Sequence, residues 1–553
     1  MIIRECTSAE IARVVECAAR GDAMAIARWT PRVATTRQEQ FVLKRCTRVR
    51  KLFAFLREHR HELFDDAFQA EMETMYRPSD AGKAPIPPAL MAMAMLLQGY
   101  VGSSDAEAVE LTMLDLRWQM VLDCFGAEQP PFSQGALHDF RYRMIRHDMD
   151  RRLLERTVEL ARKTEGFDWK KLPKSLRVAM DSSPLEGAGR VEDTINLLGH
   201  AARNVVACVA ALLGWDVERV CLAAGIPVLL SSSVKKGLDC EWSDPQQKAD
   251  ALTILVVQLE SLQSWIEEHL QEQASEPPLR QSLDVLAQLV GQDLEPDPGG
   301  GGFKRIREGV AADRRVSVRD GEMRHGRKSK SKRFNGYKRH IATLLDADLI
   351  LACAITPANR PEEEAAPLLQ RDIELQDLSI DELYIDRGYI NSSTVDEVLG
   401  RRGDVVCKPW VARNSNSQAF TKADFRLNLR DFTIQCPGGE TETIRPGSVV
   451  EFDPEACQRC RKRRQCTMAG SGHGRTVTIA ASEKLQQRLR KRIATSQGRD
   501  RLRARVAVEH KLAHISQRQG RRARYFGTRA NLYDLRRASS IQNLETVQRR
   551  MAA

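Results

Sequence analysis

Three acidic residues have the chemistry and the setting to hold divalent metal ions. Asp181 follows a mostly apolar run at 176–180, Asp386 follows another at 382–385, and Glu509 lies in a basic segment of helical periodicity. The two apolar runs predict short strands that end in an acid, where open α/β sheets place their sites. Mg²⁺ prefers oxygen ligands and usually takes only a few from protein. Because two such ions can activate an attacking oxygen and stabilise a leaving one, these acids predict phosphoryl transfer.

Each of these acids also has an ordinary interpretation. An acid after a strand more often caps a loop than binds a metal, and a motif of this kind is a hypothesis. Glu509 can form an i,i+4 ion pair with Arg505. The catalytic interpretation therefore depends on the order of the three acids and on the sequence around them.

Four of the 13 cysteines lie within residues 436–466. Cys436, Cys457, Cys460 and Cys466 have the spacing C-x20-C-x2-C-x5-C, which includes one close pair. Four thiolates suit tetrahedral Zn²⁺, and a site whose four positions are all filled by protein is structural. The alternative is a loop of reduced, unliganded thiols. His473 is a reserve ligand should one cysteine stand outside the site.

Positive charge is concentrated toward the C-terminal end of the chain. The net charge is +11, and residues 483–550 hold 19 Lys and Arg against five Asp and Glu. Such surfaces bind polyanions and release counterions, so DNA or RNA is the first partner to consider, with a solvated face as the alternative. Phe334 and Tyr337 either stack on an unpaired base or belong to the core. The residues predicted to contact DNA are Lys328, Lys330, Lys332, Arg333, Lys338, Arg505, Arg521, Arg522 and Arg524.

Composition argues against several classes of protein. The longest apolar run, 205–213, has nine residues, whereas a membrane span needs roughly 20. The start of the chain lacks the charged-then-apolar order of a signal peptide. An odd number of cysteines argues against a disulfide framework. We therefore expect a protein of the reducing cytosol with no membrane partner.

The acids must be positioned by an α/β core that other segments interrupt. Strand patterns at 176–181, 336–345, 349–356, 382–386 and 404–409 alternate with helical patterns at 361–375 and 393–399. This alternation predicts a mixed sheet covered on both faces, with the second and third strands forming a hairpin. The predicted segments are a helical N-terminal, DNA-binding domain (1–175), a first core segment (176–190), a helical insertion (191–302), a second core segment (303–410), a Cys-rich insertion (411–481), helices that carry Glu509 (482–520) and a basic tail (521–553).

Two helical details have a bearing on DNA binding. Residues 133–146 predict a helix that either offers Arg and aromatic side chains to a DNA groove or forms the surface of a bundle. After Ser482 the chain is predicted to be helical again, with Gly498 between two basic helices.

The sequence resembles DDE transposases of bacterial insertion sequences, most closely the group numbered 1182. The resemblance runs from about Leu90 onward, and its motifs are MDSS (180–183), FNGYKRH (334–340), TPAN (356–359), YIDRGY (384–389), RVAVE (505–509) and QGRRARYFG (519–527). The resemblance implies a ribonuclease-H-like core with Asp181, Asp386 and Glu509 as its acidic triad, two Mg²⁺ (or Mn²⁺) ions, and DNA cleavage and strand transfer. It also implies double-stranded DNA with terminal inverted repeats, a target DNA, a homodimer that joins two ends, and a nucleoid-associated protein of the cytoplasm.

The sequence departs from the family at two positions. Related transposases often carry a Tyr three residues before the helix Arg and a Lys seven residues after the Glu, where this chain has Leu502 and Ser516. DNA contacts of those side chains are therefore not carried over, and residues before about 60 match nothing in the family. Two alternatives stay open: a domesticated DNA-binding protein, and a ribonuclease-H-like nuclease without strand transfer. The intact triad argues against the first, and end-joining products would distinguish the second.

Overall fold

A mixed sheet of six strands forms the centre of the structure. The computed structural model describes residues 26–46, 51–77, 84–164, 176–298, 304–329, 331–411 and 419–551. Its first eight strands are β1 (Arg177–Glu186), β2 (Leu294–Pro296), β3 (Lys304–Ile306), β4 (Arg324–Arg327), β5 (Arg333–Leu344), β6 (Leu349–Pro357), β7 (Glu382–Tyr384) and β8 (Asp404–Val406). The sheet has the order β4-β5-β1-β7-β8, with β6 also paired to β5, and β2 pairs only with β3. β5 runs antiparallel to β1 and β6, whereas β7 and β8 run parallel to β1.

The five predicted strands are all present, but their ends differ from the prediction, and β1 differs most. The hairpin is confirmed as β5 and β6, and Asp348 in its turn has a φ of 58°. β1 does not end at Asp181 but continues to Glu186, because β5 pairs with it from Val178 to Glu186. Asp181 therefore lies in the middle of a strand, where its backbone is paired with Ile341 of β5, whereas the pairing with β7 covers only Arg177 to Ala179.

Eight helices precede the sheet along the described part of the chain. They are α1 (Arg37–Leu43), α2 (Lys51–Leu63), α3 (Asp66–Glu73), α4 (Pro88–Val101), α5 (Asp105–Leu114), α6 (Leu116–Leu122), α7 (Gln134–Arg146) and α8 (Met149–Lys163). Their apolar faces do not form a core of their own: they share one cluster of buried side chains with β1, β5, β6 and β7. These helices are therefore packed as one body with the central sheet.

Side chains of β1 alternate between the two faces of the sheet, as the strand period of two requires. Val178 and Met180 join the core shared with the N-terminal helices. Ala179 joins the opposite cluster, which contains Val508 and Leu512. The same alternation directs Asp181 toward the face on which Val508 and Leu512 pack.

The chain between β1 and β4 contains a separately packed helical insertion. Its helices are α9 (Thr194–Leu213), α10 (Val217–Ala223), α11 (Val234–Leu238), α12 (Pro245–His269) and α13 (Leu279–Asp293), with 3₁₀ turns at Pro227–Leu230 and Gln273–Ser275. Thirty buried residues form its own hydrophobic cluster. Its first and last helical residues meet directly, since Thr194 Oγ1 donates to Asp293 Oδ2 at 2.8 Å. Arg314 also pairs with Asp293, at 2.5 Å.

α9 is long and apolar enough to cross a membrane by length and composition, the one such helix in the described ranges. However, 56% of that window is buried inside the protein. Val205, Val206 and Val209 pack in the core of the insertion. A core helix passes the same test, so this helix is weak evidence of a span.

The remaining elements complete the core and form a small Cys-rich module. α14 (Ala366–Glu374) and α15 (Ser393–Gly400) confirm the two predicted helices, and 3₁₀ turns lie at Glu362–Ala365 and Arg387–Tyr389. The module contains β9 (Arg426–Asn428), β10 (Thr433–Gln435), β11 (Thr441–Thr443), β12 (Val449–Glu451), α16 (Pro454–Arg459), α17 (Arg463–Cys466), β13 (Thr476–Thr478) and a 3₁₀ turn at Lys422–Asp424. Seven buried residues, including Phe425 and Phe452, form its separate core.

Four helices end the chain and require two corrections. They are α18 (Glu483–Ala494), α19 (Ser496–Arg503), α20 (Val506–Gln519) and α21 (Thr528–Met551). The break between the basic helices lies at Thr495, and Gly498 is inside α19, where a Cβ would stand 2.0 Å from the carbonyl oxygen of Arg492. The prediction of a basic tail is wrong for residues 521–551, because α21 is buried along most of its length and packs on β6, α8 and α4.

Candidate active site

The strand register places two of the predicted acids side by side. β1 and β7 are parallel neighbours, with Ala179 opposite Tyr384. Asp181 and Asp386 each lie two residues further along, so they reach the same level of the sheet. Asp386 also precedes the short 3₁₀ turn Arg387–Tyr389, which turns the chain away from the sheet edge. This part of the predicted site follows from the pairing of the strands.

Helix α20 brings the third acid to the same place. Val508, Leu512 and Ile515 are buried against the sheet. Glu509 stands on the adjoining, exposed side of the helix. Arg505, immediately before the helix, connects the acids: its Nη1 donates to Asp181 Oδ2 at 3.0 Å and its Nη2 to Glu509 Oε1 at 2.6 Å. The side chain of Asp181 is 15% exposed and that of Glu509 is 47% exposed.

A cleft of about 460 Å³ contains all three acids and a partly basic rim. Asp181, Asp386 and Glu509 line it together with Arg505. The other charged residues of its wall are Arg327, Lys328, Lys338 and Glu362. The structure therefore brings together residues that are more than 300 positions apart in the chain.

Burial is the main influence on the charge of Asp181. It raises the pKa of this carboxyl to about 6, while the Arg505 guanidinium opposes the rise. The backbone N–H of Ser182 donates to Asp181 Oδ1 at 2.8 Å and also favours the ionised form. Asp386 and Glu362 act in the other direction and raise the pKa further. The cleft thus holds more negative charge than its one inner arginine neutralises.

Sequence reasoning missed Glu362 as a residue of this site. Glu362 begins the 3₁₀ turn after β6, and its Oε1 accepts a hydrogen bond from Ser182 Oγ at 2.5 Å. Gly388 lies against the same carboxylate, since a Cβ there would stand 2.1 Å from Glu362 Oε2. The available signal was the position of Glu362 directly after a core strand, but three consecutive glutamates left the relevant one undefined.

A buried hydrogen-bonded chain below the acids was also missed. His340 on β5 is completely buried, with its Nδ1 at 2.7 Å from the Tyr389 hydroxyl and its Nε2 at 2.9 Å from Thr356 Oγ1. Tyr389 also interacts with the Ser182 hydroxyl. The chain therefore connects β5, β6 and the turn after Asp386 to β1, next to Asp181. Burial lowers the pKa of His340 to about 3, and Lys338 contributes to the decrease, so this imidazole is neutral.

The acids have the right chemistry for a hard divalent ion but are not arranged as a finished metal cage. Within the described ranges, no three Asp, Glu, His or Cys side chains stand at the spacing of a formed metal site. The reason at this cleft is that Arg505 lies between Asp181 and Glu509 and pairs with both. A set of carboxylate oxygens with one cationic side chain fits a divalent ion that displaces the guanidinium.

Comparison with known protein families gives two matches. Residues 307–535 match the transposase DDE domain, and residues 42–143 match a transposase domain (DUF772). The chain belongs to the DDE transposases. The first match includes Asp386 and Glu509 and begins after the helical insertion, so β1 with Asp181 lies outside it. No curated protein and no solved structure matches the chain.

The α/β core of this transposase is ribonuclease-H-like, as the DDE domain implies. The sheet supports this assignment, because three antiparallel strands (β6, β5 and β1) are followed by two parallel ones (β7 and β8). The second match covers α2 to α6 and most of α7, and because it begins at residue 42, the expectation that residues before about 60 match nothing in the family is wrong for residues 42–60. The narrower resemblance to the group numbered 1182 stays a prediction.

The four cysteines of the transposase surround one pocket of about 500 Å³. A Cβ on Gly438 would contact both Cys460 Sγ (3.0 Å) and Cys436 Sγ (3.3 Å). Cys457 Sγ accepts from the backbone N–H of Arg475 at 3.5 Å. The thiols share a pocket but do not form a closed tetrahedral set in the described part of the chain.

The predicted DNA contacts divide into several groups. Lys328, Lys338 and Arg505 line the cleft, while Lys332 and Arg333 are exposed beside β4 and β5. Lys330 lies outside the described residues. The remaining three are the arginines of 521–524.

The arginines of 521–524 have different surroundings. Arg521 pairs with Glu186 at 2.7 Å, and Arg522 donates to the carbonyl oxygens of Gly187 and Ala188. Arg524 is exposed, and among the described residues it has no hydrogen-bond or ion-pair partner. Arg522 therefore has a structural task, and Arg524 remains available for a phosphate.

From the sequence, Phe334 and Tyr337 are each expected either to stack on an unpaired base or to belong to the core. Tyr337 is completely buried and donates to Asp320 Oδ1, so it belongs to the core and cannot stack on a base. Phe334 lines the cleft but is only 7% exposed. The predicted DNA-reading helix is α7, in which Arg141 is buried in an ion pair with Asp105. The exposed side chains of α7 include His138, Tyr142 and Arg146, so a DNA-reading role for this helix remains a prediction.

Proposed function

We propose that this transposase catalyses metal-dependent cleavage and strand transfer of DNA for an insertion-sequence element. Asp181, Asp386 and Glu509 are the residues that would hold two Mg²⁺ or Mn²⁺ ions. The observation that supports the proposal is the convergence of these three acids, from β1, the end of β7 and α20, in one cleft with a basic rim. Bound ions would activate an attacking oxygen and stabilise the leaving one.

The side chains of the cleft have separable tasks in this proposal. Lys328 and Lys338 would position phosphate oxygens beside the acids, since both line the cleft. Arg505 pairs with both Asp181 and Glu509 in this structure. When these two carboxylates bind cations, the guanidinium of Arg505 would be free to pair with a phosphate. The Ser182 N–H holds Asp181 Oδ1, and Oδ2, which accepts from Arg505 in this structure, would become available for coordination once the guanidinium leaves it.

The test is DNA cleavage by three single variants. Asp181→Asn, Asp386→Asn and Glu509→Gln should each abolish Mg²⁺-dependent cleavage and leave DNA binding nearly intact, because each removes a carboxylate and no phosphate contact. Asp396→Asn is the matched control, as Asp396 is exposed on α15 outside the cleft. Retained cleavage in any one of the three variants would remove that residue from the triad.

Two other functions are distinguished by the products. A nuclease would cleave in a metal-dependent way without joining ends to a target DNA, and a domesticated binder would do neither. The charge in the cleft favours catalysis, because a DNA-binding protein gains nothing from acids placed beside a phosphate path. The proposal further includes DNA with terminal inverted repeats, a target DNA, a homodimer and a nucleoid-associated protein of the cytoplasm.

We also propose a structural Zn²⁺ held by Cys436, Cys457, Cys460 and Cys466. Four thiols lining one pocket, in a module whose described residues include seven buried in its core, support it. A core of that size stabilises little by itself, and small domains commonly need a metal. His473 is exposed and interacts with Glu451, so it is less suited as a ligand.

A further inference from the structure

The exposed end of the Cys-rich module carries an unusual concentration of positive charge. Five of the six residues from Arg459 to Arg464 are Lys or Arg. Arg461 and Arg464 are exposed, and in the described part of the protein neither has a hydrogen-bond or ion-pair partner. We call these two residues the cationic tip.

The neighbours of the tip hold its backbone in place. Lys462 Nζ donates to the carbonyl oxygen of Pro437 at 2.7 Å, next to Cys436. Arg463 Nη2 donates to the carbonyl oxygen of Ala469 at 2.7 Å. Arg459 makes a 3.6 Å ion pair with Glu455, and both are well exposed. Each of the other three basic residues of this run thus has a partner within the module, whereas the two arginines of the tip have no hydrogen-bond or ion-pair partner among the described residues.

The module is also fixed relative to the catalytic core. Lys422 pairs with Glu483 on α18, and Glu483 is 1% exposed and also pairs with Arg490. The backbone N–H of Trp410 donates to Gln486 on the same helix. Because α18 leads through α19 to the Glu509 helix, the tip has a defined position with respect to the cleft.

Other basic clusters of the chain are largely used internally. Arg488, Arg492 and Arg501 all pair with Asp404. Arg490 pairs with Glu483. Much of the positive charge of α18 and α19 is therefore already compensated by acids within the protein. The tip retains uncompensated charge on a rigid support.

We propose that Arg461 and Arg464 form a phosphate-binding surface for a duplex DNA segment, separate from the catalytic cleft. The inference rests on the proposed function for the identity of the polyanion. Guanidinium groups bind phosphate oxygens in a bidentate way, and contacts of this kind position a duplex without reading its sequence. The surface should therefore bind any duplex, as flanking or target DNA requires.

The test is the salt dependence of DNA binding. Affinity of the full chain for a random-sequence duplex is measured by fluorescence anisotropy in EDTA across a series of salt concentrations. Arg461→Gln/Arg464→Gln should reduce the slope of log K against log salt by about 2, since each lost phosphate contact removes about 0.9. Arg461→Lys/Arg464→Lys keeps the charge and should keep most of the slope.

The matched control is Arg371→Gln/Arg401→Gln. It removes the same charge from α14 and the end of α15, where Arg401 already pairs with Glu374. An unchanged slope in the tip Gln variant, or an equal decrease in the control, would overturn the proposal, and so would loss of slope in the Lys variant. An unchanged slope in the tip Gln variant would also be expected if the tip binds an acidic protein or is simply solvated. Binding in EDTA is independent of cleavage, so failure of the triad variants to abolish cleavage contradicts the catalytic proposal alone.

Discussion

Replacement of His340 by Gln should remove a pH-dependent loss of stability in the central sheet. His340 is buried and neutral, and its two ring nitrogens form hydrogen bonds with the hydroxyls of Tyr389 and Thr356. One nitrogen donates and the other accepts. A Gln amide also offers a donor and an acceptor, so the variant keeps the polar chemistry of the site but cannot titrate.

The magnitude follows from the two protonation equilibria. Burial lowers the pKa of His340 to about 3 in the folded protein, whereas an unfolded His has a pKa of about 6.5. Below pH 6.5 the unfolded chain therefore binds a proton that the folded chain does not, and stability decreases as the pH falls. At about pH 5 the difference of about 1.5 pH units corresponds to about 2 kcal/mol. At about pH 8 the effect is absent.

Hydrogen exchange measures this difference where it arises. The free energy of opening is obtained from amides of β5 and β6 in the parent and in His340→Gln, at about pH 5 and about pH 8. Other titrating groups affect both proteins equally, so they cancel when the pH-dependent changes are compared. The parent should lose about 2 kcal/mol more than the variant between the two pH values. An equal loss in both proteins would show that His340 is protonated in the folded state and would refute the reasoning.

Four other substitutions test three separate parts of the structure. Arg536→Met should cost about 3–5 kcal/mol in unfolding free energy, because it leaves Asp150 buried with one partner fewer; an unchanged melting temperature would contradict this. Parent protein should contain about one Zn per chain and Cys457→Ser should release it, whereas metal analysis without zinc in freshly purified, reduced protein would exclude the site. Arg524→Gln should lower the salt slope of DNA binding by about 1, whereas Arg522→Gln should lower the melting temperature. A lower melting temperature in the Arg524 variant and a lower salt slope in the Arg522 variant would contradict these roles.

The sequence contained enough information to place the strands and the three acids, because those signals are local. Short apolar runs before Asp181 and Asp386 mark neighbouring strands, and the parallel pairing of β1 with β7 then sets the acids level. The position of Glu509 beside Arg505 fixed their ion pair at helical spacing. Their roles in catalysis remain predictions.

Features that depend on distant residues could not be predicted in the same way. Glu362 becomes part of the cleft only because Ser182, 180 positions away, donates to it. The arginines of the C-terminal helix predict a basic tail, yet Arg536 is buried against Asp372 of α14, and Arg537 is buried against Gln98 of α4 and Asp534 of its own helix. Charge counting along a sequence does not distinguish a guanidinium that faces solvent from one that is paired inside.

The contact between Thr194 and Asp293 bears on how the sheet assembles. β1 must pair with β5 although Glu186 and its partner Gly336 are about 150 residues apart, and closing a flexible loop of that length costs about 4 kcal/mol. The insertion, however, has its own hydrophobic cluster, and its two ends are joined by that hydrogen bond and by the Arg314 ion pair. Once the insertion has folded, most of the intervening chain no longer counts as flexible length. A segment that interrupts the catalytic sheet in sequence can thereby shorten the search for its central strand pair.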